Sequence, residues 1–173
     1  MHPVADRLLG AMTTRPSART WGRCALAYAA FLACAFPIGA VSGLLHVSLP
    51  DARPAEIAGT CLMLLVHPAF VEEMLFRALL LPRNTAATRR VPLFVTAGIA
   101  LALYVASHPL NAMVFRPQAL SLFASPGYLT LVAMLGATCT WAYLTSRSIW
   151  PPVAMHWLTV VAWIWLLGGR ALL

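Results

Sequence analysis

The chain has 173 residues, 61% of them apolar and only 10% charged, against about 45–50% and 25% in an ordinary soluble domain. So few charges cannot cover a soluble surface, which excludes a cytosolic enzyme and a disordered chain. The net charge of +7 comes from twelve arginines and no lysine. They stand singly or in pairs between apolar runs, as at the ends of membrane helices, and form no stripe suited to nucleic acid.

A membrane crossing needs about 20 apolar residues. In chain order the runs are Cys24 to Leu45, Ile57 to Leu81, Val91 to Phe115, Pro117 to Ser146 with a lead-in loop at Ser125-Pro126-Gly127, and Ser148 to Gly169. The expected fold is therefore all-α, a polytopic bundle of about five transmembrane spans. Residues 1–23 are expected as a cytoplasmic N-terminal segment and 24–173 as the membrane domain. Arg7, Arg15, Arg19 and Arg23 precede the first span, and Arg83, Arg89 and Arg90 follow the second. The arginine bias sets the N-terminus and these residues on the cytoplasmic side. The first apolar run exceeds the ~7–15 residues of a signal-peptide core, so it is expected to stay as an uncleaved span. Cys24, Cys34, Cys61 and Cys139 lie in apolar runs without a CxxC pair and read as small buried hydrophobes.

Ionisable residues inside a span cost about 2.5–3.5 kcal/mol each. Glu72, Glu73 and Arg77 stand together in the second span. Glu73 and Arg77 are at i,i+4 and can pair, whereas Glu72 is turned about 100° from Glu73. Glu72 is left as a carboxylate without its own cation, able to accept or donate a proton. His108 and His156 lie in the third and fifth spans. Two imidazoles and a carboxylate from three helices can hold a water, or a metal, inside a bundle. His67 points about 140° away from Glu72. Pro68, Pro109 and the Pro151-Pro152 pair fall beside these polar groups, and broken helices at membrane depth suit a cavity. Depth is a constraint on the set. At 1.5 Å per residue Glu72 is about 16 Å from Arg83 and His156 about 13 Å from Arg147, but His108 is about 27 Å from Arg90. His108 joins the others if residues 82–92 re-enter the bilayer or the third span begins after Val91.

Glu72-Glu73-Met74-Leu75-Phe76-Arg77 fits EExxxR, Tyr104 to His108 fits FxxxH with Tyr for Phe, and His156 falls at the place of a late HxxxN or HxxxD motif. Over residues 57 to 165 the chain resembles the CAAX protease and bacteriocin-processing (CPBP or ABI) family of glutamic intramembrane proteases, whose eukaryotic relatives trim prenylated CAAX proteins. The resemblance implies an endopeptidase in the bacterial inner membrane acting on a membrane-associated protein or peptide, such as a C-terminal sorting signal or a maturing peptide. It implies Glu72 as general base, His108 holding the water with it, His156 stabilising the oxyanion, and Glu73 with Arg77 ordering the site. Val160 stands four residues after His156, where the family has Asn or Asp, and Asn111 is a candidate for the missing amide. No cofactor is expected. The alternatives are a zinc site on Glu72, His108 and His156, a proton-conducting protein, and a non-catalytic immunity or scaffold protein.

Overall fold

The computed structural model describes residues 3–48, 51–83 and 90–172. Among them the chain is all helix and turn. We number α1 Pro3–Thr13, α2 Ala18–Val41, α3 Pro54–Leu79, α4 Arg90–Phe115, α5 Pro126–Ser146 and α6 Trp150–Leu166. A short 3₁₀ turn, Pro117–Ala119, and one helical turn, Leu120–Phe123, lead from α4 to α5.

Helix starts follow local chemistry. Ser17 and Ser125 cap α2 and α5, their side chains accepting the N–H groups of Thr20 and Tyr128. Pro54, Pro126 and the Pro151-Pro152 pair sit in first turns, where a missing N–H costs no helical bond. Gly43 follows α2 at φ +69°, a left-handed turn that a side chain would strain. α2 begins at Ala18, not Cys24, because Arg19 and Arg23 ride exposed on its first turns with their charged ends free to reach water.

Four helices, α2 to α5, are long and apolar enough to cross a membrane. The protein is an integral membrane protein. The fifth expected span is α6, apolar but only 17 residues long, about 26 Å. α5 is the central helix and packs against α2, α4 and α6, while α3 lies against α6. Cys24, Phe31 and Ala35 of α2 meet Leu135, Cys139 and Ala142 of α5 in one core cluster. A second cluster gathers alanines 11, 69, 78 and 100 with Tyr143 and Val153. Small residues there let the helices approach closely. Of the cysteines, Cys24 and Cys139 are buried, but Cys61 is half-buried and Cys34 is exposed on the lipid-facing side of α2, against the expectation of burial for all four.

α3 is not a regular helix. Pro54–Leu64 is α-helical, Leu65–Phe70 and Met74–Leu79 are π turns, and Val71–Glu73 is a single α turn between them. The break falls on His67 (φ −133°, ψ 120°), the residue that Pro68 pushes out of the helical region. Pro109 behaves differently from the expected break, since α4 runs through it. The Ser107 hydroxyl and the His108 ring both bond the Tyr104 carbonyl, one residue before Val105, whose carbonyl Pro109 leaves without its helical donor.

α1 lies across one end of the bundle. Arg7 Nη2 donates to the carbonyls of Leu79 (2.8 Å) and Leu81 (2.7 Å), just past the catalytic-type motif of α3. Ser148 Oγ donates to Thr14 O, Ile149 N to Ala11 O, and Trp150 Nε1 to Met12 O. The opposite end is tied by His46 N to Leu167 O and by the exposed Arg170–Glu56 pair. The helix ends therefore alternate, as an antiparallel bundle requires.

Candidate active site

The short α turn Val71–Glu73 and the π turn after it set three ionisable side chains on the bundle's inner face. Glu73 is wholly buried and Arg77 is 1% exposed. Arg77 Nη1 donates to Glu73 Oε1 at 3.1 Å, the i,i+4 pair that the spacing implies. Arg77 Nη2 donates to the Gly136 carbonyl at 3.0 Å, and the guanidinium carbon lies 4.3 Å from the centre of the Tyr104 ring. The planar guanidinium thus joins α3 to α5 and α4, through a forked and stacked geometry that an ammonium could not reproduce.

His156 stands between the two carboxylates. Its Nδ1 is 2.9 Å from Glu73 Oε1, and its Nε2 is 3.9 Å from Glu72 Oε2. Glu73 Oε1 already accepts from Arg77, and as an acceptor it takes a hydrogen from Nδ1, which leaves Nε2 facing Glu72. The gap of 3.9 Å is too long for a direct hydrogen bond, and a water touching both atoms at about 2.8 Å fits it. Glu72 keeps a side-chain exposure of 15%, and its Oε2 is buried without a protein hydrogen-bond partner among the described residues.

His108 reaches the same place from α4. Its Nδ1 lies 2.9 Å from the Tyr104 carbonyl, which can only accept, so Nδ1 carries the hydrogen and Nε2 is a free lone pair. The ring meets Tyr104 edge-on, with centres 4.9 Å apart, and Tyr128 at 5.9 Å. Tyr104 also meets His156 edge-on at 6.1 Å. His108 and His156 line one cavity of about 130 Å³, closed mostly by apolar side chains of α2, α5 and α6. The depth conflict does not hold. α4 starts at Arg90, no later, and its 26 residues extend about 39 Å, more than the ~30 Å hydrocarbon core. Arg90 therefore marks no common plane with Arg83 and Arg147. The re-entry expected of residues 82–92 and the charge assigned to Arg89 fall largely on 84–89, outside the described residues.

Of the residues singled out from sequence, Glu72, Glu73, Arg77, His108 and His156 are brought together. Asn111 is not. It is exposed on α4 and does not line the cavity: three residues past His108 it is only about 60° round the helix but about 4.5 Å further along the axis. Val160 does line the cavity, presenting methyl groups where an amide was expected. His67 is exposed at the break in α3. Among the described residues, no three His, Cys, Asp or Glu side chains are grouped to hold a metal ion. Two partners escape sequence reasoning. The Gly136 carbonyl is a backbone group with no signature, and Tyr128 reads as an ordinary aromatic near a loop.

A family model for type II CAAX prenyl endopeptidases, Rce1-like, matches residues 54–162. The chain belongs to the Rce1-like family. The match runs from the first residue of α3 into α6 and so contains every member of the buried cluster. This Rce1-like chain is accordingly a membrane-embedded endopeptidase of the CAAX type, a protease whose substrate is a membrane-associated protein or peptide. α1 and α2 lie outside the matched stretch. Comparison with curated proteins and with solved structures returned no match.

Proposed function

We propose that the protein hydrolyses a peptide bond by activating water with Glu72, making it a glutamic-type member of the Rce1-like family. One observation carries the reading: Glu72 Oε2 is buried and unpaired, 3.9 Å from His156 Nε2, while the neighbouring Glu73 is already engaged by Arg77 and His156. Glu72 takes the proton of a water that His108 Nε2 also contacts, and the hydroxide attacks the scissile carbonyl. His156, with Glu73 at its back, presents Nε2 to the developing oxyanion when protonated, the electrostatic role of an oxyanion donor. At that stage Glu72 is neutral, and Glu73, Arg77, the protonated His156 and the oxyanion sum to zero charge. Glu72 then passes its proton to the leaving amine. Hydrolysis by this route needs no redox or nucleotide cofactor.

The site is reached through bilayer, so the substrate needs a segment that is unwound or enters from the interface, since a helix hides its carbonyls. The orientation that fits the arginine bias has the N-terminus in the cytoplasm of a bacterial cell, with the bundle in its inner membrane. Sorting-signal processing and peptide maturation both fit this chemistry.

The test compares wild type, Glu72→Gln and His108→Ala in liposomes with membrane proteins encoded near its own gene, with and without a chelator. Cleavage lost in both variants and insensitive to chelator is expected. Cleavage unchanged in Glu72→Gln would overturn the mechanism, and loss with chelator would move it to zinc. A second reading rests on Val160, whose methyl groups face the cavity: a non-catalytic scaffold. Full biological function in Glu72→Gln is its signature.

A further inference from the structure

The two ends of the bundle are unlike. Arg7, Arg15, Arg19, Arg23, Arg83 and Arg147 gather at the end covered by α1, and Arg53, Arg116 and Arg170 at the other, where Glu56 pairs Arg170. The α1 end is shut. Arg83 bonds Thr14, its guanidinium lies directly on Gly10, and Arg7, Ser148 and Trp150 stitch α1 to the ends of α3 and α6. The cavity leaves His108 and His156 in the other direction. Its walls are the later turns of α2, the first turns of α5 and the last turns of α6, from Thr159 and Val160 to Leu167. On its rim, Leu32 and Phe36 of α2 are 40% and 50% exposed. No wall residue is an Asp, Glu, Lys or Arg, and the two histidines stand at the base.

We infer that the active site is entered from the arginine-poor, non-cytoplasmic half of the bilayer, past α2, and that its substrate presents there an uncharged apolar segment of a membrane-anchored polypeptide. The inference rests on the proteolytic reading for its chemistry, but the direction of entry stands on the cavity and the arginine bias alone. A charged residue in the segment would lose its hydration against Phe31, Leu135 and Leu131, with no carboxylate or guanidinium on the wall to answer it. α2, which the family match does not include, is then the wall that sets which segments fit.

The direction of entry is read by thiol labelling. Val160→Cys lies deep in the cavity beside His156, and Arg15→Cys is an exposed reference at the α1 end. Both are made with Cys34→Ala and Cys61→Ala, leaving the buried Cys24 and Cys139. The probe is a membrane-impermeant maleimide on right-side-out and inside-out vesicles. Val160→Cys is expected to label at least tenfold faster in right-side-out vesicles, and Arg15→Cys at least tenfold faster in inside-out ones. Labelling of both from the same side, or of Val160→Cys from neither, overturns the inference, provided that Arg15→Cys labels and the melting temperature is kept. The substrate class is read with single-span reporters carrying one apolar segment on the outer or the inner side. Cleavage of the outer reporter alone, slowed at least tenfold by one lysine in the segment, is expected. Preferred cleavage of the inner reporter overturns it. Both reporters uncut, with labelling as expected, would instead count against proteolysis and leave the direction of entry intact.

Discussion

Adjacent carboxylates meet different fates because a helix turns about 100° per residue. Glu73 falls on the line to Arg77 one turn later and to His156 across the bundle, whereas Glu72 falls beside them with an unpaired oxygen. This separates two kinds of loss. Arg77→Ala strands a wholly buried Glu73 carboxylate, and breaking a buried pair costs about 3–5 kcal/mol. It is expected to lower the melting temperature in detergent sharply and to abolish cleavage. Glu72→Gln keeps the shape and removes only a carboxylate whose buried oxygen has no hydrogen-bond partner among the described residues. It is expected to abolish cleavage while the melting temperature stays within a few degrees. Equal destabilisation by both substitutions would show that Glu72 is part of the structural pair. The Glu73–Arg77 spacing and the odd carboxylate are legible in the sequence because they depend only on helical geometry. What Arg77 does with its second nitrogen is not, since the Gly136 carbonyl belongs to a backbone 59 residues away.

At the scale of elements, two close contacts hold the site in place. Gly136 lets α4 and α5 meet: a Cβ there would stand 2.7 Å from Leu101 Cδ1 and 2.8 Å from Tyr104 Cδ1. Gly136→Ala is expected to push the Tyr104 ring and, with it, the His108 imidazole that its carbonyl orients. Overpacking of this kind costs about 1–3 kcal/mol. Cleavage should fall together with the melting temperature, and full activity would remove Tyr104 from the positioning of His108. α1 acts from the other side. Arg7 satisfies the carbonyls of Leu79 and Leu81 at the end of a π turn, where regular helical bonds run out. Arg7→Ala leaves both acceptors without that donor, a loss of about 1–3 kcal/mol, expected as a lower melting temperature and partial, not complete, loss of cleavage. Sequence reading sees residues 1–23 as a cytoplasmic N-terminal segment because α1 carries too few apolar residues to span. Its role comes from the tertiary contacts of Arg7, Thr14 and Met12, which have no local signal. The break at Pro68 is legible from proline sterics, but the continuity through Pro109 is not, since the same sterics would end α4 there.

At the scale of the molecule, the apolar runs give the helices and their order, yet the fifth crossing is shorter than its run. Ser148 to Gly169 contains 22 residues without a charge, but Ser148 and Ile149 are drawn into the α1 end, and Gly168 turns at φ +79°. That leaves α6 with 17 residues, about 26 Å, against about 39 Å for α4. Hydropathy counts residues and cannot see which of them are taken by end contacts. The mismatch has a consequence for activity. α6 carries His156 and cannot tilt to gain length, whereas α4 can tilt to lose it. A thick bilayer would pull on the short helix and shift His156 against Glu72 and Glu73, which are anchored on α3. A thin one would match α6 and leave the cluster as it stands. Cleavage in liposomes of monounsaturated phosphatidylcholines is therefore expected to be highest with short acyl chains, C14 to C16, and to fall several-fold by C22. Substrate and enzyme mismatch are separated by repeating the series with the substrate's own span shortened by four residues. A chain-length optimum that moves with the substrate would assign the effect to it, and one that stays would assign it to α6.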